Sequence, residues 1–205
     1  MSIETRGIKK GRKFAQVLEG ARAVFLRDGF EGASVDDIAR AAGVSKATLY
    51  SYFADKRLLF MEVVKQECDQ QSQDAMDEID REGPVEAVLE AAARHLLRFL
   101  LSNFSQRVFR ICVAESERFP ELGREFYNSG PAHVRAELSA FLGEAVERGE
   151  LVIDDLQLAA DQFAELCKAD LHPRLIFGVS NGFTEDEVER VIAGAVGMFM
   201  ARYGA

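Results

Sequence analysis

The stretch Ser34 to Phe53, SVDDIARAAGVSKATLYSYF, carries side chains whose types and order suit contact with the edges of a nucleic-acid duplex. A helix begun at Ser45 turns about 100° per residue, which puts Leu49 and Phe53 on one side and Ala47 and Ser51 on the other. Thr48 and Tyr50 flank that outward pair. Small residues at the centre of the arc let a helix come close to base edges. Thr48 offers a methyl and a hydroxyl, and Tyr50 a ring and a hydroxyl; apolar groups suit the thymine methyl and hydroxyls suit several edges. Lys46 in the first turn can reach a base or a phosphate. Tyr52 and Lys56 stand where the helix leaves a groove, the place for phosphate contacts that position a protein without reading sequence.

Two short helices and a glycine turn must hold those side chains. Ser34 is a good N-cap, and Asp37 three residues on can close a capping box. Ile38, Ala39 and Ala42 give the first helix an apolar side, and Gly43 is placed to end it in left-handed backbone. Val44 plugs the turn and Ser45 caps the second helix. This is the pattern of a helix-turn-helix over 34–53, whose second helix enters the major groove. Before it, Phe14, Leu18, Ala21 and Phe25, with Val17 and Val24, predict an amphipathic supporting helix ended by Asp28-Gly29-Phe30. The basic cluster Arg6, Lys9, Lys10, Arg12 and Lys13 has two readings, a solvated terminus or an arm that orders on phosphate or in the minor groove.

Composition bounds the rest. The chain has 205 residues, 48% apolar and 29% charged, enough for one or two domains with a proper core. Its net charge of −9 is unevenly placed. Residues 1–57 hold 11 Lys and Arg against 7 Asp and Glu, a formal +4, and residues 58–205 hold 14 against 27, a formal −13. A DNA-binding protein needs its positive field at the docking face only. Cys68, Cys112 and Cys167 are far apart and odd in number, which predicts free thiols in a reducing compartment. His95, His133 and His172 have no zinc spacing. No apolar run is long enough to span a bilayer and no signal-peptide pattern opens the chain, so a cytoplasmic protein without membrane contact is expected.

Helical periodicity continues to the end, with no alternating strand pattern and no internal repeat. Asp55 can cap a long helix over about 55–82, roughly 40 Å in length, whose first part carries Leu58, Leu59, Val63 and Val64. That helix becomes polar and stops at Gly83-Pro84, with Met76 and Ile79 expected to touch a second domain. Further helices are predicted from Pro84, over 105–119 and 120–129, from Pro131 to Gly149, from a cap at Asp154 to near His172-Pro173, and from the Thr184–Glu187 capping box to Tyr203. Pro173 to Phe183 reads as loop. The fold class is therefore all-α: an N-terminal three-helix domain with the helix-turn-helix in residues 1–57, and a C-terminal helical domain in 58–205.

The segment from about Gly11 to Phe60 resembles the N-terminal domain of TetR-family transcriptional regulators. The matching residues are Ala21 and Phe25, Gly29-Phe30, Ser34-Val35, Ile38-Ala39, Ala42-Gly43-Val44-Ser45, Leu49-Tyr50, Tyr52-Phe53, Lys56 and Leu59. Tyr52 departs from the family, many members of which carry His there. Arg107 to Gly130, running from an Arg-rich helix through a Glu-x-x-Arg-Phe-Pro-Glu-Leu corner at 115–122, is similar to the C-terminal domain of one subgroup. The resemblance implies a ligand-responsive repressor that binds a pseudo-palindromic operator in double-stranded DNA as a homodimer. It sets the DNA-facing residues as Ser34, Val35, Ser45, Lys46, Ala47, Thr48, Tyr50, Ser51, Tyr52 and Lys56.

The resemblance also implies a small-molecule effector and a dimer seam in the C-terminal domain, with no resident cofactor or metal. Candidate pocket residues are His95, Phe99, Arg110, Cys112, Glu115, Phe126, Tyr127, Phe163, Cys167 and Phe177. Candidate seam residues on the last two long helices are Leu158, Gln162, Val188, Val191, Ile192, Ala195 and Phe199, with Gly194 and Gly197 small enough to let a partner helix approach. No nucleophile elbow, phosphate loop or dinucleotide fingerprint is present, so an enzyme is not expected. The alternative reading is a helical protein-interaction adaptor without sequence-specific DNA binding.

Overall fold

The structure, a computed structural model, describes residues 11–205. Among the described residues there are eleven α-helices and no β-sheet, the one extended pairing being a bridge between Leu151 and Gly204. Arg6, Lys9 and Lys10 lie outside the described residues, while Arg12 and Lys13 open α1 (Arg12–Gly32).

Two compact units divide the chain: residues through Glu67 with Ile111–Phe126, and Cys68–Arg110 with Tyr127–Ala205. This corrects the expected boundary after residue 57. The first half of α4 (Lys56–Glu78) buries Leu59, Phe60, Val63 and Val64 within the first unit. Phe60 stands edge-on to Phe25 and Phe30, with ring centroids 5.1 and 5.3 Å away. Phe119, from the turn between α6 (Asn103–Glu115) and α7 (Pro120–Ser129), reaches the same cluster at 6.4 Å from Phe30. The charge split is blind to this, because aromatic packing sets the boundary.

In the first unit, α1 buries Phe14, Val17, Leu18, Ala21, Val24 and Phe25, the stripe its periodicity predicts. Gly29 breaks the helix with φ 74°, at the expected Asp28-Gly29-Phe30 stop, and one further turn follows to Gly32. α1 packs on α2 (Val35–Ala41), and Gly20 lies against Ala42, the residue that caps the end of α2. A Cβ there would come within 2.6 Å of the Ala42 backbone nitrogen.

The second unit is built on α5 (Val85–Leu100), α8 (Pro131–Glu147), α9 (Leu156–Cys167) and α11 (Glu185–Tyr203). Leu89, Ala93, Leu97, Leu142, Ala159, Phe163, Ile192 and Phe199 meet in one core. Full burial of each large side chain contributes about 1.5–3 kcal/mol. Thr184 and Glu187 close the expected capping box at the start of α11.

Several boundaries differ from the periodicity. α4 ends at Glu78, making it about 35 Å long, because Asp80 accepts from the Glu82 amide and folds the next residues into a turn. α6 stops at Glu115 instead of Phe119, and Val113 is 58% exposed. Asp155, not Asp154, caps α9 by accepting from the Leu158 amide. A short α10 (Leu171–Ile176) occupies the start of the expected loop. Pro173 is tolerated there because first-turn amides have no intrahelical partner, and Leu171 and Leu175 pin the turn to the core.

The Gly20 contact leads to a measurable expectation. Gly20→Ala forces α1 and α2 apart and should destabilise the chain by roughly 1–3 kcal/mol, read as a lower urea midpoint. Gly194→Ala, at a position with nothing within 4 Å of the added carbon, should not.

Candidate functional site

The helix-turn-helix is held by caps at three points. The Ser34 hydroxyl oxygen accepts from the Asp37 amide at 3.0 Å and opens α2. Asp37 does not reach back to the Ser34 backbone as a capping-box Glu would. One methylene shorter, its carboxylate accepts from the Ser34 hydroxyl at 2.6 Å. That hydroxyl, and then Arg40, hold the Asp37 carboxyl below its ordinary range. Gly43, at φ +63°, closes α2: its amide donates to the Arg40 carbonyl and the Val44 amide to that of Ala39. These are the two bonds of a Schellman turn. Ser45 then accepts from the Thr48 amide at 3.1 Å and starts α3 (Lys46–Tyr52).

Leu49 and Phe53 are buried, which leaves the opposite arc of α3 outward. Ser45, Lys46, Ala47, Tyr50 and Ser51 are exposed and Thr48 is half-buried, as the angular reading predicts. The Thr48 hydroxyl pairs with that of Ser45 at 2.9 Å, and Ser51 donates to the Thr48 carbonyl. Lys46 forms an ion pair with Asp36 at 2.7 Å. On α2, Ser34 is exposed and Val35 half-buried. The Tyr52 ring packs edge-on to Phe14.

Lys56 requires a correction. Expected at a phosphate, its ammonium instead donates to the carbonyls of Phe30 at 2.6 Å, Ala33 at 3.1 Å and Glu31 at 3.3 Å. An ammonium has three donors, and all three are engaged. The carbonyl-rich end of α1 attracts the cation, as helix C-termini do, and the Phe30 ring lies 4.6 Å from the nitrogen.

The second unit contains a cavity of about 170 Å³. Its walls come from the latter half of α4, from α5 and α8, and from Phe163 of α9. α4 contributes Cys68, Ser72, Ala75 and Met76, with Ile79 just beyond its end; α5 contributes Val88, Ala92, Leu96 and Phe99. Phe99 is the residue of these four expected in a pocket, and Val88 is buried in the core as well. Leu89, Ala93 and Leu97, one residue on from Val88, Ala92 and Leu96, are fully buried in that core. His133 of α8 sits with its Nε2 3.0 Å from the Ser72 hydroxyl oxygen, and His95 of α5 with its Nε2 3.0 Å from the Glu78 carboxylate. An apolar space with a few convergent polar groups is the usual form of a small-molecule site.

Of the expected pocket residues, His95, Phe99 and Phe163 line this cavity and the others do not. Cys112, Glu115 and Phe126 belong to the first unit. Arg110 donates to the Leu175 carbonyl at 2.8 Å, and Tyr127 accepts from Arg135. Cys167 is fully buried, and burial pushes its thiol up to about 12. Phe177 is 81% exposed. Sequence reasoning missed Ser72, His133 and Glu137. The available signal was the 68/72/75/76/79 spacing of small or apolar residues inside the otherwise polar part of α4.

The expected seam residues also divide. Val191, Ile192, Ala195 and Phe199 are buried in the core of their own chain, which corrects their assignment to a partner contact. A helical stripe marks the face a helix buries first, and the core claims it. Val188 is half-buried, and Gln162 accepts from the Tyr203 hydroxyl at 2.6 Å. Leu158 and Met198 are 52% and 63% exposed. Ala193, Gly194 and Gly197 share the outward face of α11 with Met198.

Known proteins are similar to this chain in sequence and fold. The family model for the C-terminal domain of AefR-like transcriptional repressors matches residues 87–205, and that for bacterial regulatory proteins of the tetR family matches residues 17–63. A Mesorhizobium loti protein assigned to the TetR-family transcriptional regulators has a structure similar to this one, with TM-score 0.88 and 29% identity over 97% of this chain and 100% of that one. The flavonoid-responsive regulator FrrA has TM-score 0.78 and 35% identity over 95% of this chain and 98% of its own. The HTH-type transcriptional repressor SCO4008 of Streptomyces coelicolor is 37% identical over 89 residues, 42% of this chain and 46% of that protein. The HTH-type transcriptional repressor AcnR of Corynebacterium efficiens is 36% identical over 67 residues, 33% of this chain and 35% of that protein. The chain thus spans between a third and a half of these two curated relatives.

Substitutions separate reading from support. Tyr50→Ala should change the preferred base sequence in a duplex-selection experiment, at a cost of about 1–3 kcal/mol in discrimination. Lys56→Met should lower the melting temperature through carbonyls left without a donor, about 1–3 kcal/mol. It should leave the salt dependence of DNA binding unchanged, whereas loss of a phosphate contact would lower that slope by about one.

Proposed function

This chain belongs to the TetR family of bacterial regulatory proteins and is a DNA-binding transcriptional regulator, and we propose that it is a homodimeric, cytoplasmic repressor released from its operator by a small molecule. The observation that carries the reading is the outward arc of α3, small at Ala47 and Ser51 and polar at Lys46 and Tyr50, on a helix fixed by Leu49 and Phe53. One such helix makes too few contacts to specify an operator. A two-fold dimer presents two, matched to half-sites ~34–36 Å apart. The outward strip of α11 with Leu158 of α9 supports a seam in which Gly194 and Gly197 admit close helix approach.

The cavity supports the effector reading. It is largely apolar, has ring-bearing walls and borders the second half of the helix that begins, at Lys56, in the DNA-binding unit. A ligand releases DNA only if it binds the low-affinity conformation more tightly than the DNA-bound one. FrrA responds to flavonoids, and a flat, mostly apolar molecule with few polar groups suits this cavity too.

Enrichment of random duplexes on the purified chain should return a pseudo-palindrome whose binding weakens steeply with added salt. Binding with no sequence preference would favour the adaptor alternative. Met198→Glu should convert the dimer to monomer in sedimentation analysis and lower operator affinity with it, while leaving the melting temperature of the monomer unit near that of the parent chain.

A further inference from the structure

Glu137 of α8 lines the cavity one helical turn from His133, and among the described residues it makes no hydrogen bond or ion pair. The charged groups around it are engaged. Arg81 donates to Glu144 at 3.1 Å. His95 lies 3.0 Å from Glu78, which also pairs with Arg98 at 3.5 Å. A half-buried carboxylate beside Phe and Leu side chains loses part of its hydration with nothing to replace it. A ligand that brings a hydrogen-bond donor restores the missing partner. Among the described residues each basic group on the cavity wall already has a partner, Arg81 on Glu144, His95 on Glu78 and His133 on Ser72, so a carboxylate ligand would meet Glu137 with like charge. An ammonium would bring its own desolvation cost to a wall offering a single unpaired carboxylate. Phe99, Phe141 and Phe163 supply ring faces and edges for a planar body.

We infer that the cavity selects a neutral aromatic molecule whose hydroxyl donates to Glu137, and that it rejects a carboxylate of the same shape. The inference rests on the reading of the cavity as the effector site. Naphthalene, 2-naphthol, 2-naphthoate and 2-naphthylmethylammonium are matched two-ring probes. The chain has no Trp, so the fluorescence of the naphthalene ring can be followed without that background. Titrated into the full chain, 2-naphthol should bind about tenfold or more tightly than naphthalene and the other two, since a hydrogen bond to a charged group is worth at least that much. Glu137→Leu should abolish the preference while leaving the naphthalene affinity in place. Glu137→Gln, which still accepts a hydrogen bond, should keep part of it. Naphthoate or the ammonium binding as tightly as naphthol would overturn the assignment, as would a preference that survives Glu137→Leu. If naphthalene binds and naphthol gains nothing, only this inference fails; if no probe binds, the effector reading falls with it.

Discussion

The turn at Gly43 governs where the reading face points. Two amide-to-carbonyl bonds close α2 behind it, and the Ser45 hydroxyl opens α3 two residues later. With both helix ends satisfied over so short a link, Leu49 and Phe53 can only enter the core, and the arc from Lys46 to Ser51 can only face outward. A Cβ at Gly43 would strain the left-handed backbone that this reversal needs. The close approach of α1 and α2 at Gly20 fixes the same motif from below. The cation of Lys56, seated on the carbonyls at the end of α1, ties the start of α4 to that support.

α4 changes character along its length. Its first half packs apolar and aromatic side chains into the three-helix unit, and its second half offers small and mixed residues to a cavity. The polar composition of the second half would suit a solvated connector. The stripe from Cys68 to Ile79 makes it a wall instead, held to α8 through Ser72 and His133. Ser72 and His133 therefore tie the cavity to the helix that opens beside the recognition motif in sequence.

Most ion pairs among the described residues are at the surface. Lys46 with Asp36 and Arg40 with Asp37 are well exposed, and water screens such pairs so that they add little to stability. Their importance lies in where charge is available. Lys46 must leave Asp36 to meet a phosphate or base, at little cost in water and with the dependence on salt that all such exchanges share. The formal charge is +4 over residues 1–57 and −13 over residues 58–205, so the positive field a duplex needs belongs to the N-terminal share.

Local chemistry decided the helix-turn-helix. Caps at Ser34 and Ser45, glycine at 43, and the angular separation of Leu49 and Phe53 from Ala47 and Ser51 depend on residues within one or two turns of each other, and all were legible in the sequence. So were the all-helical class and the capping box of α11. Tertiary structure decided what depends on partners far along the chain. It turned Lys56 inward to carbonyls 23 to 26 residues away, joined Phe119 to Phe30 across the unit boundary expected after residue 57, and gave Val191, Ile192, Ala195 and Phe199 to their own core. It also chose Val88, Ala92, Leu96 and Phe99 over the neighbouring stripe of α5 as a cavity wall. Periodicity marks an apolar face, but whether that face meets another helix, a cavity or a second chain depends on which surfaces the folded backbone brings opposite it.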